Sequence, residues 1–280
     1  MIEMRAFQLT VPGADLRGDI RIPEGSPTDA AIVVCHGFKG FKDWGFFPYL
    51  SEQLATRTGL PTVSFSFDGS GVREWDFDDL GAFSTNTFTR ELFDLEAILD
   101  GLAVGRLGDT EVPVAGSFGL FGHSRGGATV ILKAAARRQV KALSTWAAIS
   151  SVDRYQVFRD AWDRGETAII PNMRTGQDMP LERNVLDDTN ANGPRLDVLA
   201  SAAALRVPFA IVHGAVDEAV PLTDAEALAE AAGDVATLTI VETANHVFGG
   251  KHPFEGSNPD LERAIEASAD AFRRGLGRTE

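Results

Sequence analysis

Cysteine is nearly missing from this chain: its 280 residues hold one, Cys35, which excludes an internal disulfide and any zinc site built on cysteine. Cys35 stands inside an apolar run, where a buried small hydrophobe is expected. Basic residues are also in short supply. Twenty-six Lys and Arg face forty Asp and Glu, a net charge of -14 at pH 7, which argues against nucleic acid or anionic membrane as a partner. No run approaches the roughly 18 consecutive apolar residues that a bilayer span needs. The start, Met1-Ile2-Glu3-Met4-Arg5, lacks a basic region leading into an apolar stretch, so no signal peptide is visible. A soluble, cytoplasmic protein is expected. Internal repeats and low-complexity tracts are absent from the sequence too.

The 44% hydrophobic content suits one large α/β domain with ample core. Arg5–Val11 and Leu16–Ile22, joined by Pro12-Gly13-Ala14-Asp15, read as an antiparallel hairpin. Ala30–Cys35 is a continuous apolar run of strand length, as a strand buried on both faces should be. Helix near Pro48–Arg57, strand Thr62–Phe67 and helix Glu91–Leu102 follow. Leu143–Ile149, Val207–His213 and Ala236–Val241 read as further strands, Thr223–Ala232 and Pro259–Gly275 as helices. Such alternation predicts an α/β fold: a mostly parallel sheet with helices on both faces and ligands at the carboxyl ends of its strands. Residues 151–199 break the rhythm between the core segments 1–150 and 200–280. There Asp153–Asp163 puts Tyr155, Phe158 and Trp162 on one helical face, and Thr167–Met173 and Gln177–Arg183 flank the turn Thr175-Gly176. A small lid, rich in Arg and Asp, is expected there, the alternative being a long connection with no part in binding.

The most informative stretch is Phe118-Gly119-Leu120-Phe121-Gly122-His123-Ser124-Arg125-Gly126-Gly127. An apolar strand-like run ends in G-x-S-x-G and a helix-forming run begins at once, the context of a nucleophile elbow. A serine held in so tight a turn brings neighbouring chains close, and Gly122 and Gly126 remove the Cβ atoms that would collide. Serine is a poor nucleophile without an oriented base. Of the five histidines, His246 follows the last predicted strand at the edge where the elbow points, so it is the expected base, with His252 the weaker candidate. The carboxylate that orients it is Asp217 or Asp153, each following a predicted strand. Asp217 is favoured, because the order Ser124, Asp217, His246 resembles the Ser-Asp-His order of the α/β-hydrolase fold, and Glu218 then points elsewhere. The amides of Arg125 and Phe38 are the expected oxyanion donors. Aromatics cluster nearby at Phe38, Phe41, Trp44, Phe46 and Phe47, and at Trp75 and Phe77; an acyl pocket and ordinary core packing account for them equally well.

From Ala30 onward the chain resembles the α/β-hydrolase superfamily, in Val34-Cys35-His36-Gly37-Phe38-Lys39-Gly40, Phe65-Ser66-Phe67-Asp68-Gly69-Ser70-Gly71, the elbow, His213-Gly214 through Asp217, and Asn245-His246. It is most similar to the branch of feruloyl esterases, dienelactone-hydrolase-like proteins and serine peptidases. Dienelactone hydrolases use a cysteine nucleophile where this chain has Ser124, and an aspartate nucleophile is absent as well. The resemblance implies a serine hydrolase that needs no cofactor and no metal, with a small ester as substrate and Ser124, His246 and Asp217 as its catalytic group. A thioesterase or a small peptidase or amidase would use the same residues, and a non-catalytic binding protein would keep only the scaffold. Neither acyl group nor oligomeric state is legible.

Overall fold

The computed structural model describes residues 1–26, 29–74 and 76–277. In chain order, the hairpin β1 (Ile2–Val11) and β2 (Ala14–Pro23) leads into β3 (Ala30–Cys35), α1 (Phe47–Thr58) and β4 (Thr62–Ser66). Helices α2 (Leu80–Ser84) and α3 (Phe88–Ala103) and a minimal hairpin, β5 (Arg106–Leu107) and β6 (Thr110–Glu111), come next. The elbow unit is β7 (Ser117–His123) and α4 (Arg125–Ala136), followed by β8 (Val140–Trp146). The interruption holds α5 (Arg159–Asp163), β9 (Ala168–Asn172), β10 (Gln177–Leu181), α6 (Asn184–Asn192) and α7 (Val198–Ala204). The chain closes with β11 (Phe209–Gly214), α8 (Leu222–Ala232), β12 (Ala236–Val241) and α9 (Pro259–Leu276).

Eight strands make one sheet in the order β1-β2-β4-β3-β7-β8-β11-β12, and β2 alone runs against the others. Both faces are covered, and β3 shows how. Ala31, Val33 and Cys35 enter the core beneath α3, α4 and α8, whereas Ala30, Ile32 and Val34 enter the one beneath α1 and α9. Period-two geometry splits a continuous apolar run between two cores. Each fully buried Val, Leu or Phe contributes about 1.5–3 kcal/mol to holding helix against sheet. Local signals set the helix ends: Thr87 caps α3 by accepting from the Arg90 amide, and Asn258 caps α9, which has Pro259 at its start.

Two expectations need correction. The strand expected over Leu143–Ile149 runs instead over Val140–Trp146. Ala147 takes φ 48°, its amide donates to the Val212 carbonyl at 2.9 Å, and Ala148 and Ile149 turn inward to bury themselves against the elbow helix. The apolar run is therefore a strand followed by a core-facing turn. The helix expected over Asp153–Asp163 is a 3₁₀ turn, Gln156–Phe158, then the five-residue α5. Asp153 gives its carboxylate to Gln156 Nε2 at 2.7 Å rather than to a free backbone amide, so no helix starts there. The hairpin about Thr175-Gly176 forms as β9 and β10. Among the described residues, no helix is long and apolar enough to cross a membrane.

Candidate active site

At the carboxyl end of β7 the backbone turns sharply at Ser124, with φ 55° and ψ −119°, and α4 begins at Arg125. An L-residue held at positive φ in this way costs on the order of 1–3 kcal/mol, so the surroundings must enforce it. The Ser124 amide donates to the Trp146 carbonyl at 2.8 Å, and its own carbonyl accepts from Gly127 at 2.9 Å. The two elbow glycines are required by space. A Cβ on Gly126 would overlap the His36 carbonyl, and one on Gly122 would overlap the Gly126 carbonyl and lie 2.6 Å from Val130. The loop after β3 presses on the same turn, since a Cβ on Gly37 would stand 2.9 Å from the Ser124 Cβ. Phe38 follows directly, its ring 5.0 Å from that of Phe83.

The loops after β11 and β12 meet at this edge, where Val216 donates to the Ala244 carbonyl at 3.2 Å and Ala215 to the Val241 carbonyl at 3.0 Å. That seam brings Asp217 and His246 together, with His246 Nδ1 2.8 Å from Asp217 Oδ2. The Asp217 side chain is fully buried, while that of His246 is 24% exposed. Asp217 Oδ1 accepts from the amides of Ala219 and Val220 at 2.8 and 2.9 Å. Burial pushes the Asp217 carboxyl upward, but the His246 hydrogen bond and the backbone amides outweigh it and hold the group below the usual carboxylate range. Asp217 is thus an anion at neutral pH. His246 Nδ1 accordingly carries the proton and leaves Nε2 free to accept one.

His123 links this pair to the elbow. Its Nε2 donates to the His246 carbonyl at 2.9 Å, and the two rings stand 4.8 Å apart. The Ser124 hydroxyl makes no hydrogen bond among the described residues, so Ser124 and His246 share an edge without a direct bond; such contacts often tighten only when substrate binds. The remaining histidines hold structure. His36 Nε2 accepts from the Phe67 amide at 3.1 Å while Nδ1 donates to the Gly37 carbonyl, and burial pushes its pKa down to about 4. For His123, burial and the neighbouring His246 push it to about 3. His213, fully buried, donates to the Val220 carbonyl at 3.0 Å and stands 3.4 Å from Asp217 Oδ2. His252 accepts from the Gly45 amide and stacks on Trp44. Asp153 and Glu218 are exposed.

Several functional-looking contacts have no local sequence signal. The Arg125 side chain is buried and ion-paired with Glu91 at 2.7 Å, and its Nη1 meets the Tyr155 hydroxyl. The β9–β10 hairpin stands over the aromatic loops: Arg174 pairs with Asp76 at 2.6 Å, Lys39 Nζ donates to the Pro171 carbonyl, and Met179 packs on Phe77 and Phe83. Phe46 and Phe47 are core residues under His123, whereas Phe38 and Trp44 are only partly buried. Trp75 lies outside the described residues. Cys35 is buried in β3, and burial pushes its thiol up, away from the reactive thiolate. Among the described residues no cluster of three or more His, Cys, Asp or Glu is placed to hold a metal ion.

No model of a known protein family and no curated protein matches the chain. Solved structures do. Est1E from Butyrivibrio proteoclasticus, with ferulic acid bound, superposes with a TM-score of 0.74 at 20% identity, over 98% of this chain and 100% of that one. The α/β-hydrolase domain-containing protein 10 of mouse gives 0.70 at 17% identity, over 95% and 97%. This chain has the α/β-hydrolase fold. An acylaminoacyl peptidase from Pyrococcus horikoshii gives 0.69 at 21% identity, over all of this chain but 42% of the peptidase. The expected fold class, with its mostly parallel sheet, therefore stands.

Proposed function

We propose that the protein is a serine hydrolase, most simply a carboxylesterase, with Ser124, His246 and Asp217 as its catalytic triad. The observation that carries this reading is the buried Asp217 carboxylate paired with the partly exposed His246 at 2.8 Å, on the sheet edge where the strained Ser124 emerges. Esterases and a peptidase among the structural neighbours support the reaction class. In the proposed reaction, Ser124 Oγ forms a bond to the ester carbonyl carbon while its proton passes to His246 Nε2. The amides of Phe38 and Arg125 bind the oxyanion, aided by the amino end of α4. Collapse breaks the bond to the alkoxy oxygen, which leaves as the alcohol with the proton from His246. Water then repeats the sequence on the acyl-enzyme, giving its proton to His246 and releasing the acid and Ser124.

The hairpin of the 151–199 segment is proposed as the lid of this site, because it stands on Lys39, Asp76 and Phe77 beside the Phe38 loop. Turnover of short p-nitrophenyl esters, unaffected by a chelator, is the test. Loss of turnover in EDTA with recovery on adding zinc or manganese would sink the metal-free mechanism, and a panel of acyl-CoA and aminoacyl-amide substrates separates esterase from thioesterase and amidase.

A further inference from the structure

An ion pair lies buried beneath the elbow. The side chains of Glu91 on α3 and Arg125 on α4 are 5% and 3% exposed, with Arg125 Nε 2.7 Å from Glu91 Oε1. Burying two charges costs several kcal/mol per ion, and a well-packed apolar pair of the same volume is often at least as stable. Net stability is therefore a weak account of such a pair.

Its connections give a stronger one. Glu91 Oε2 accepts from Thr129 Oγ1 at 2.9 Å, one turn along α4 from Arg125, so one carboxylate grips the elbow helix at two points. Oε1 also accepts from Asn86 Nδ2 at 2.8 Å. The guanidinium bonds to the Tyr155 hydroxyl and lies with its Cζ 4.0 Å from the Phe88 ring centroid and 5.8 Å from that of Phe38. Tyr155 in turn meets the Phe38 ring edge-on, with centroids 6.4 Å apart. The side chain of one residue assigned as an oxyanion donor, Arg125, therefore reaches toward the ring of the other, Phe38. One donor opens α4 after β7 and the other lies in the loop after β3; the two strands pair side by side, and the ion pair braces the elements that leave them.

We infer that Glu91 and the Arg125 side chain are positioning residues that set the spacing between the two oxyanion donors. The inference rests on the serine-hydrolase reading above. Placement of such donors matters steeply, since loss of one costs roughly 10²–10³ in kcat. Because both donors act on charge that develops only in the transition state, the pair governs kcat and leaves KM nearly alone.

Two variants test this. Glu91→Gln keeps the shape and removes the charge. The double change Glu91→Leu with Arg125→Met removes both charges at similar volume and retains the amide of residue 125, which guards against unfolding by an unpaired buried guanidinium. Melting, kcat and KM on a p-nitrophenyl ester, and inhibition by a trifluoromethyl ketone are measured for each; the ketone adduct places an oxyanion in the hole. The expected result is a folded double variant with kcat down about 10²-fold, KM within about threefold, and ketone affinity weakened in parallel with kcat. A folded double variant with wild-type kcat and ketone affinity overturns the inference. So does a fall in kcat with ketone binding unchanged, which leaves the oxyanion hole intact and places the loss in another step. Wild-type protein that neither turns over esters nor binds the ketone would instead remove the serine-hydrolase reading, and this inference with it.

Discussion

Replacing Asp217 by asparagine changes one atom pair at the most constrained carboxylate in the site. The two oxygens differ in their partners: Oδ1 accepts from two backbone amides, and Oδ2 faces His246 Nδ1. An asparagine must keep its oxygen toward the Ala219 and Val220 amides, because an NH₂ there would oppose two donors. Its NH₂ is then forced toward His246 Nδ1, which can only accept from it. The proton moves to Nε2, the nitrogen that has to take the serine proton, and the anion that stabilises the protonated ring is lost. Side-chain volume and the two amide bonds survive, so melting should change little. The expected cost is about 10³–10⁴ in kcat with KM nearly unchanged, or about 4–5.5 kcal/mol of transition-state stabilisation. Steady-state kinetics on a p-nitrophenyl ester beside a melting curve read both quantities. Asp153→Asn is the control: its carboxylate is exposed and among the described residues holds only Gln156, so at most about 1 kcal/mol of stability and no turnover should be lost. Asp217→Asn within tenfold of wild type, or a large loss in Asp153→Asn, refutes the reasoning.

Gly126→Ala forces a Cβ into the His36 carbonyl, and is expected to cost at least about 1–3 kcal/mol and to displace the Phe38 loop, read by urea denaturation and kcat together. Asp94, fully buried on α3, has its carboxyl pushed by burial to about 7. The folded state therefore holds this proton more tightly than the unfolded chain does, so the contribution of Asp94 to stability is greatest below about pH 4 and is lost as pH rises to about 7. Asp94→Asn should flatten that slope by at most about 4 kcal/mol between pH 4 and 8; equal slopes in both proteins would contradict it. Arg174→Ala breaks the hairpin's bond to Asp76 and should shift relative rates across a substrate panel more than it shifts melting. Unchanged relative rates would make the 151–199 segment a plain connection.

Strands buried on both faces were the most legible part of the fold, because a run such as Ala30–Cys35 has no competing use. Boundaries slipped where apolar residues served the core outside a strand, as Ala148 and Ile149 do. Helices α6 and α7 went unread: within an interrupted segment, short amphipathic pieces carry little periodicity. The elbow was legible because tight geometry restricts residue type at Gly122, Ser124 and Gly126. The Glu91–Arg125 pair was not, since an ion pair between residues 34 positions apart on two helices leaves no local pattern. The supporting parts of His123 and His213 were equally silent, because what they bond to is decided by how the loops after β11 and β12 pack.

The central claim is that Ser124 is an activated nucleophile, and a fluorophosphonate probe tests it most directly, because such reagents label readily only serines whose proton has a base to take it. Mass mapping of the labelled protein should place the phosphonate on Ser124 alone, and Ser124→Ala should fold as the wild type does and take up no label. Label on another residue, or labelling that persists in Ser124→Ala, would contradict the account.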